Sequence, residues 1–173
     1  DLFFNTPARR KFLKSDATEA RNIVDTLERL ALIHPGTGFT LTSDGRRLLS
    51  LPPGQTPRER AAEIAGARSG LHWHEASDGE RSLTFAFAAP HEGRGRRDGV
   101  RLFVNRRAVN DRILFAALME GYRGVLAAGS YPVALLWLTL PPAEVDVNVH
   151  PAKREVRFSG EGEVFRWVAG NVG

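Results

Sequence analysis

The 173-residue sequence contains no cysteine, one methionine and only three lysines. Without a thiol there is no disulfide framework, no thiol nucleophile and no thiolate zinc site. Long hydrophobic runs are missing too. The longest, residues 131–142, spans about a dozen positions and includes Pro132, Pro141 and Pro142, well short of the ~20 residues that cross a bilayer. No secretory leader is visible at the start, where Asp1-Leu2-Phe3-Phe4 lacks a basic region and a small-residue cleavage site. That opening reads as an excerpt from a longer chain. No membrane association is expected, and the absence of cysteine accords with a cytoplasmic protein.

What is present is ordinary globular composition, 42% hydrophobic and 25% charged, enough for one domain or two small ones. The cations are almost all arginine, and the net charge of +4 is unevenly placed. Seven arginines (94, 96, 97, 101, 106, 107 and 112) fall between Glu92 and Arg112 against three acids. A second basic spot, Arg9, Arg10, Lys11 and Lys14, lies near the start. The rest of the chain is slightly acidic, so the molecule is a near-neutral body with a local arginine band.

Periodicity gives the elements. Thr6-Pro7 predicts a short basic helical turn over residues 8–13. Asp16, followed three residues later by Glu19, predicts a capped helix that buries Ile23, Leu27, Leu30 and Ala31 and stops at Pro35-Gly36. A hairpin follows around Asp44-Gly45. Residues 51–57, Leu-Pro-Pro-Gly-Gln-Thr-Pro, form the best linker and predict a domain boundary. Beyond it come a helix opened by Thr56-Pro57, strands at 71–76 and 83–88 around Asp78-Gly79, and a strand run at 100–109. A helix capped at Asn110-Asp111, strands at 133–140, 144–149 and 155–158, and a last helix from Ser159 complete the pattern. Irregular alternation of strands and helices predicts an α/β fold (α+β with a mixed sheet).

Few residues stand out for chemistry. His72-Trp73-His74 places two imidazoles on one strand face, but with no third ligand nearby they read as ordinary strand histidines, and no metal site is expected. The segment from Asp146 to Phe158 sets Asp146, Asn148 and His150 along one strand face before Pro151 turns the chain toward Lys153. On spacing alone this is a polar face with a surface cation. A lysine at a rigid turn would also suit a phosphate.

Three blocks change the balance: Leu2-Phe3-Phe4-Asn5-Thr6-Pro7-Ala8-Arg9-Arg10-Lys11-Phe12-Leu13, Phe103-Val104-Asn105-Arg106-Arg107-Ala108-Val109, and the Asp146 to Phe158 segment. Together, in this order, they resemble the signatures of the MutL family of DNA mismatch-repair proteins. The resemblance implies that residues 1–54 are the C-terminal remnant of a GHKL-type ATPase domain. Residues 55–173 would be a transducer domain resembling ribosomal protein S5 domain 2. It further implies that Lys153 contacts the γ-phosphate of ATP, with His150 and Pro151 supporting the turn that presents it. Arg106, Arg107 and Arg112, joined by Arg94, Arg96 and Arg97 of the Gly-Arg loop, would bind DNA without sequence preference.

The catalytic Glu, the magnesium-coordinating Asn and the Asp-x-Gly-x-Gly loop of GHKL ATPases do not occur in the sequence, nor does a Walker-type Gly-x-x-x-x-Gly-Lys motif. ATP and Mg2+ are therefore expected as cofactors of the longer protein and not of this stretch alone, which should not hydrolyse ATP. The implied partners are duplex or single-stranded DNA, a second copy joined through the N-terminal regions with ATP, the mismatch sensor MutS, and a downstream nuclease or helicase, with action at the nucleoid. Two other readings remain open: a type II topoisomerase-like transducer, whose Gln-Thr-Lys context is absent here, and an S5-like nucleic-acid-binding module with no nucleotide coupling.

Overall fold

The computed structural model describes residues 3–6, 8, 11–146 and 155–173. The chain divides into two compact units, Asp1–Pro57 and Arg58–Gly173. In the first, helix α1 (Asp16–Ile33) packs on a hairpin of β1 (Phe39–Ser43) and β2 (Arg46–Leu51). Asp44 and Gly45 both sit at positive φ, +50° and +74°, the type I′ geometry that matches strand twist. The helix is capped one residue earlier than the sequence suggests. Ser15, with extended backbone, offers its carbonyl to the amides of Thr18 and Glu19 at 2.8 and 3.0 Å. The Glu19 carboxylate reaches past it to accept from the Lys14 amide at 2.9 Å, and the Ser15 side chain makes no cap bond, so the capping box that the sequence suggests does not form.

The second unit is built on a five-stranded mixed sheet in the order β3-β4-β7-β5-β6, formed by β3 (His72–Asp78), β4 (Arg81–Phe87), β5 (Val100–Val104), β6 (Arg107–Val109) and β7 (Ala134–Thr139). All neighbours are antiparallel except β5 and β7. That parallel pair needs a crossover, and β6 with helix α3 (Arg112–Gly121) supplies it. Helix α2 (Pro57–Ala65) precedes the sheet. A short ladder of β8 (Val145–Asp146) and β9 (Arg157–Phe158), then helix α4 (Glu161–Val172), follow it.

One sheet face carries Leu83, Phe85, Leu102, Val104, Leu136 and Leu138 against Leu114 and Leu118 of α3 and Val164 and Val168 of α4. Each large side chain fully buried there contributes roughly 1.5–3 kcal/mol. On the other face Trp73, Trp137 and Phe103 stack in a row, with centroids 5.9 and 5.5 Å apart. Arg58 at the start of α2 lies 5.0 Å over Trp73. With both faces covered, every residue of β5 is buried, which is why its sequence shows no alternation. The histidines of β3 lie on the first face, His72 against the Phe87 ring at 5.5 Å and His74 3.3 Å from Asn171 of α4.

The sequence reads residues 100–109 as one strand, and the structure breaks them into β5 and β6. Asn105 and Arg106 turn the chain at φ +46° and +63°. At the β3–β4 hairpin the turn is Gly79-Glu80, because Asp78 stays in the ladder opposite Arg81. The last helix begins at Glu161, two residues after Ser159. No helix among the described residues is long and apolar enough to cross a membrane.

Candidate nucleic-acid interface

The β5–β6 hairpin is held by a side chain rather than by its turn sequence. Two consecutive left-handed residues normally call for Asn-Gly, and a non-glycine residue pays about 1–2 kcal/mol in that region. Here Asn105 recovers the difference through the neighbouring chain. Its carboxamide accepts from the Leu140 amide at 2.9 Å and donates to the Leu140 carbonyl at 3.0 Å, while its own amide donates to Leu138 at 2.9 Å. Arg106 occupies the second left-handed position, where glycine would cost less, and its side chain is exposed. Arg107 opens β6, the edge strand, opposite Val104 and also exposed.

At the other end of this edge, Asp111 caps α3. Its carboxylate accepts from the Ile113 and Leu114 amides, both at 2.9 Å. Burial pushes its carboxyl above the ordinary range, against the opposing pull of those two amides. Arg112 follows as the first helical residue and is exposed. Three residues on, one turn along the same side of the helix, Phe115 receives the Arg97 guanidinium 4.2 Å above its ring, and Tyr131 lies 5.2 Å from the same group. Arg97 therefore packs on the helix that Arg112 opens. Arg96 is exposed beside them, 3.5 Å from Asp98. The turn holding Arg97 is pressed against β7, because a Cβ on Gly99 would sit 3.1 Å from the Pro132 carbonyl. Strand β5 carries the chain about 13 Å from this cluster to Asn105-Arg106. Exposed arginines stand at the hairpin, Arg106 and Arg107, and at the start of α3, Arg112.

Arg94 is set apart from that edge. Its guanidinium donates to the Ala65 carbonyl at 2.7 Å, and its main chain pairs with Tyr131. It roots the Gly-Arg loop on the end of α2. Glu92 does the same from the other side, accepting from the Arg68 and Ser69 amides at 2.6 and 3.0 Å and from the Ser69 hydroxyl. These bonds, the hydroxyl's first, hold the Glu92 carboxyl at about 2 against an ordinary value of 4.5. A depressed carboxyl stabilises the fold above its unfolded pKa and loses that contribution as pH falls through the folded value. Glu92→Gln should therefore lower the Tm at pH 6 but progressively less from pH 4.5 down to pH 2. A Tm difference that stays constant across that range would show that Glu92 is not the titrating staple.

Lys153, His150 and Pro151 lie outside the described residues. The chain on either side of them is fixed: Val145 pairs with Phe158 and Asp146 with Arg157. Among the described residues no three His, Asp or Glu side chains come together as a metal site. Sequence reasoning named the arginines and the Asp111 cap but missed Asn105 and Glu92. A hint existed only for Asn105, an asparagine inside an overlong strand run.

Residues 62–173 match the family model described as DNA mismatch repair protein, C-terminal domain. The DNA mismatch repair protein MutL of Neisseria meningitidis serogroup C is 44% identical over 170 residues, covering 97% of this chain and 26% of the relative. The MutL of Opitutus terrae is 45% identical over 173 residues, with 99% and 28% covered. The chain thus spans about a quarter of the length of the curated relatives it matches. Among solved structures, the ATPase domain from the bacterial mismatch repair endonuclease Aquifex aeolicus MutL superposes with a TM-score of 0.72 at 26% identity, covering all of this chain and 59% of that one. The Aquifex aeolicus MutL ATPase domain complexed with ADP gives 0.66 at 29% identity, over 82% of this chain and 51% of that one. The chain belongs to the MutL family of DNA mismatch repair proteins.

Proposed function

We propose that this chain couples ATP binding to DNA binding in a mismatch-repair matchmaker. In this reading residues 1–54 close a GHKL-type ATPase domain and residues 55–173 form the S5-like transducer. Lys153, on the turn shaped by His150 and Pro151, is the chain's contribution to the nucleotide site. When bound, ATP supplies the triphosphate charge that such an ammonium neutralises. The general base and the Mg2+ ligands come from other parts of the protein, so this region alone binds ATP weakly or not at all and does not hydrolyse it. Nucleotide then favours the arrangement in which Lys153 reaches phosphate, a population shift. That shift changes DNA affinity and brings two copies together through their N-terminal regions. MutS and a downstream nuclease or helicase are the further partners.

The observation that carries the DNA half is the exposure of Arg106 and Arg107 at the β5–β6 hairpin and of Arg112 at the start of α3, with Arg106 in a left-handed turn position that glycine would occupy more cheaply. Backbone strain retained at an exposed charged residue points to use of the charge. Exposed guanidinium groups suit the phosphates of a nucleic-acid backbone, a mode without sequence preference.

Lys153→Met in a full-length protein carrying this region tests the coupling. Losing a charge-assisted contact to phosphate should lower ATP turnover roughly tenfold. A non-hydrolysable ATP analogue should no longer shift DNA affinity. Unchanged turnover with an intact nucleotide effect on DNA would remove Lys153 as the phosphate sensor.

A further inference from the structure

Residues 93–99 include three arginines and no aromatic side chain, yet the fold brings two rings to this loop from later in the chain. Phe115 of α3 and Tyr131 lie with centroids 6.1 Å apart, tilted by 43°. The Arg97 guanidinium rests 4.2 Å above the first and 5.2 Å from the second. Both rings are half-buried, while Arg97 stays exposed. Each part is fixed from behind. Phe115 packs on the core, and Tyr131 exchanges two backbone bonds with Arg94 at 2.7 and 2.8 Å. The Arg97–Gly99 turn runs so close to the chain before β7 that a Cβ on Gly99 would meet the Pro132 carbonyl at 3.1 Å.

We propose that Arg97, Phe115 and Tyr131 form a stacking subsite for an unpaired nucleobase of single-stranded DNA. The proposal rests on the DNA-binding role given to this region above and adds the form of DNA that the subsite takes. Aromatic rings and guanidinium planes stack on any base, because every base has a π-face. In a duplex those faces are covered by neighbouring base pairs, so a base must be unpaired and splayed out to use the subsite. A guanidinium held on a ring keeps its charge for the adjoining phosphate. Exposed Arg96 stands next in the chain, and its 3.5 Å approach to Asp98 is a surface pair that holds it weakly. Rings fixed in place before binding also reduce the ordering cost of capturing a flexible strand. A contact that merely pinned the loop would treat every form of DNA alike.

Three probes titrated into a full-length protein carrying this region separate stacking from charge: an oligothymidylate, an abasic oligonucleotide of the same length, and a duplex. Arg97→Lys keeps the charge and loses the plane. It should weaken oligothymidylate binding roughly tenfold, the effect of losing one base-stacking contact, and leave the abasic strand and the duplex unchanged. Phe115→Leu, which keeps apolar contact with the core, should show the same selective loss. In neither variant should the slope of log affinity against log salt move, since no phosphate contact is removed. Equal losses on all three probes would overturn the subsite and reduce the cluster to a loop anchor. No loss on any probe, while Arg112→Glu still weakens binding, would overturn the subsite and leave the DNA reading standing. If Arg112→Glu is without effect as well, the DNA contact of this face falls, and the subsite with it.

Discussion

Arg112→Glu should weaken DNA binding on the order of 50-fold near 0.1 M salt and flatten the salt dependence. The slope of log affinity against log salt is about −0.9 per neutralised phosphate on duplex DNA. Reversal removes one cation and adds one repulsive anion, equivalent to about two contacts, so the slope should shrink by roughly 1.8. The fold should tolerate the change. Arg112 is exposed at the first position of α3, where an acidic side chain interacts favourably with the helix dipole by about 0.3–1 kcal/mol. Arg123→Glu provides a control with the same change in net charge. That residue lies just beyond the other end of α3, exposed and already paired with Glu120. If Arg123→Glu and Arg112→Glu flatten the slope equally, total charge governs binding and the sheet-edge assignment fails. If neither changes it, DNA does not contact this face.

Much of the architecture is legible in local sequence because its signals are local. Asp44-Gly45 encodes its own turn, Thr56-Pro57 opens α2, and Asp111 caps α3 with its own carboxylate. Small local misses, such as the cap at Ser15 and the turn at Gly79-Glu80, shift an element by a residue or two, whereas the larger ones depend on a partner distant in sequence. Nothing near Asn105 says that the strand run 100–109 must fold back, because the bonds that hold the turn come from Leu140, 35 residues away. Glu92 looks like a loop acid until its partners at 68 and 69 are known, and Arg81 looks like a strand cation until Glu144 and Glu163 close on it. Composition located the arginine band correctly along the chain and could not sort it. Arg94 turns inward to Ala65, Arg101 is buried in β5, and Arg97 is stacked on aromatic rings. Sorting required the fold, which leaves Arg96, Arg106, Arg107 and Arg112 exposed.

Asn105→Ala should cost about 3 kcal/mol and lower the Tm by roughly 10 °C. Three contributions add. Two side-chain hydrogen bonds are lost, each worth about 1 kcal/mol net. Leu140, only 2% exposed, is left with an amide and a carbonyl deprived of those bonds, so part of a desolvation penalty of about 1–3 kcal/mol is added. Alanine must also hold a left-handed backbone, at up to about 1 kcal/mol relative to asparagine or glycine. For a domain of this size each kcal/mol moves the Tm by about 3–6 °C. Asn105→Gly separates the contributions, because glycine accepts φ +46° without strain but cannot bond Leu140; it should fall between the parent and alanine by about 1 kcal/mol. The same substitution bears on function. It removes no charge, yet it frees the turn that holds Arg106 and Arg107, so ordering those side chains on DNA becomes more costly. DNA affinity in Asn105→Ala should drop severalfold well below its Tm, with the other arginines untouched. A thermally destabilised Asn105→Ala that binds DNA like the parent would mean that the hairpin tip lies outside the DNA contact and that the binding edge ends at Arg112.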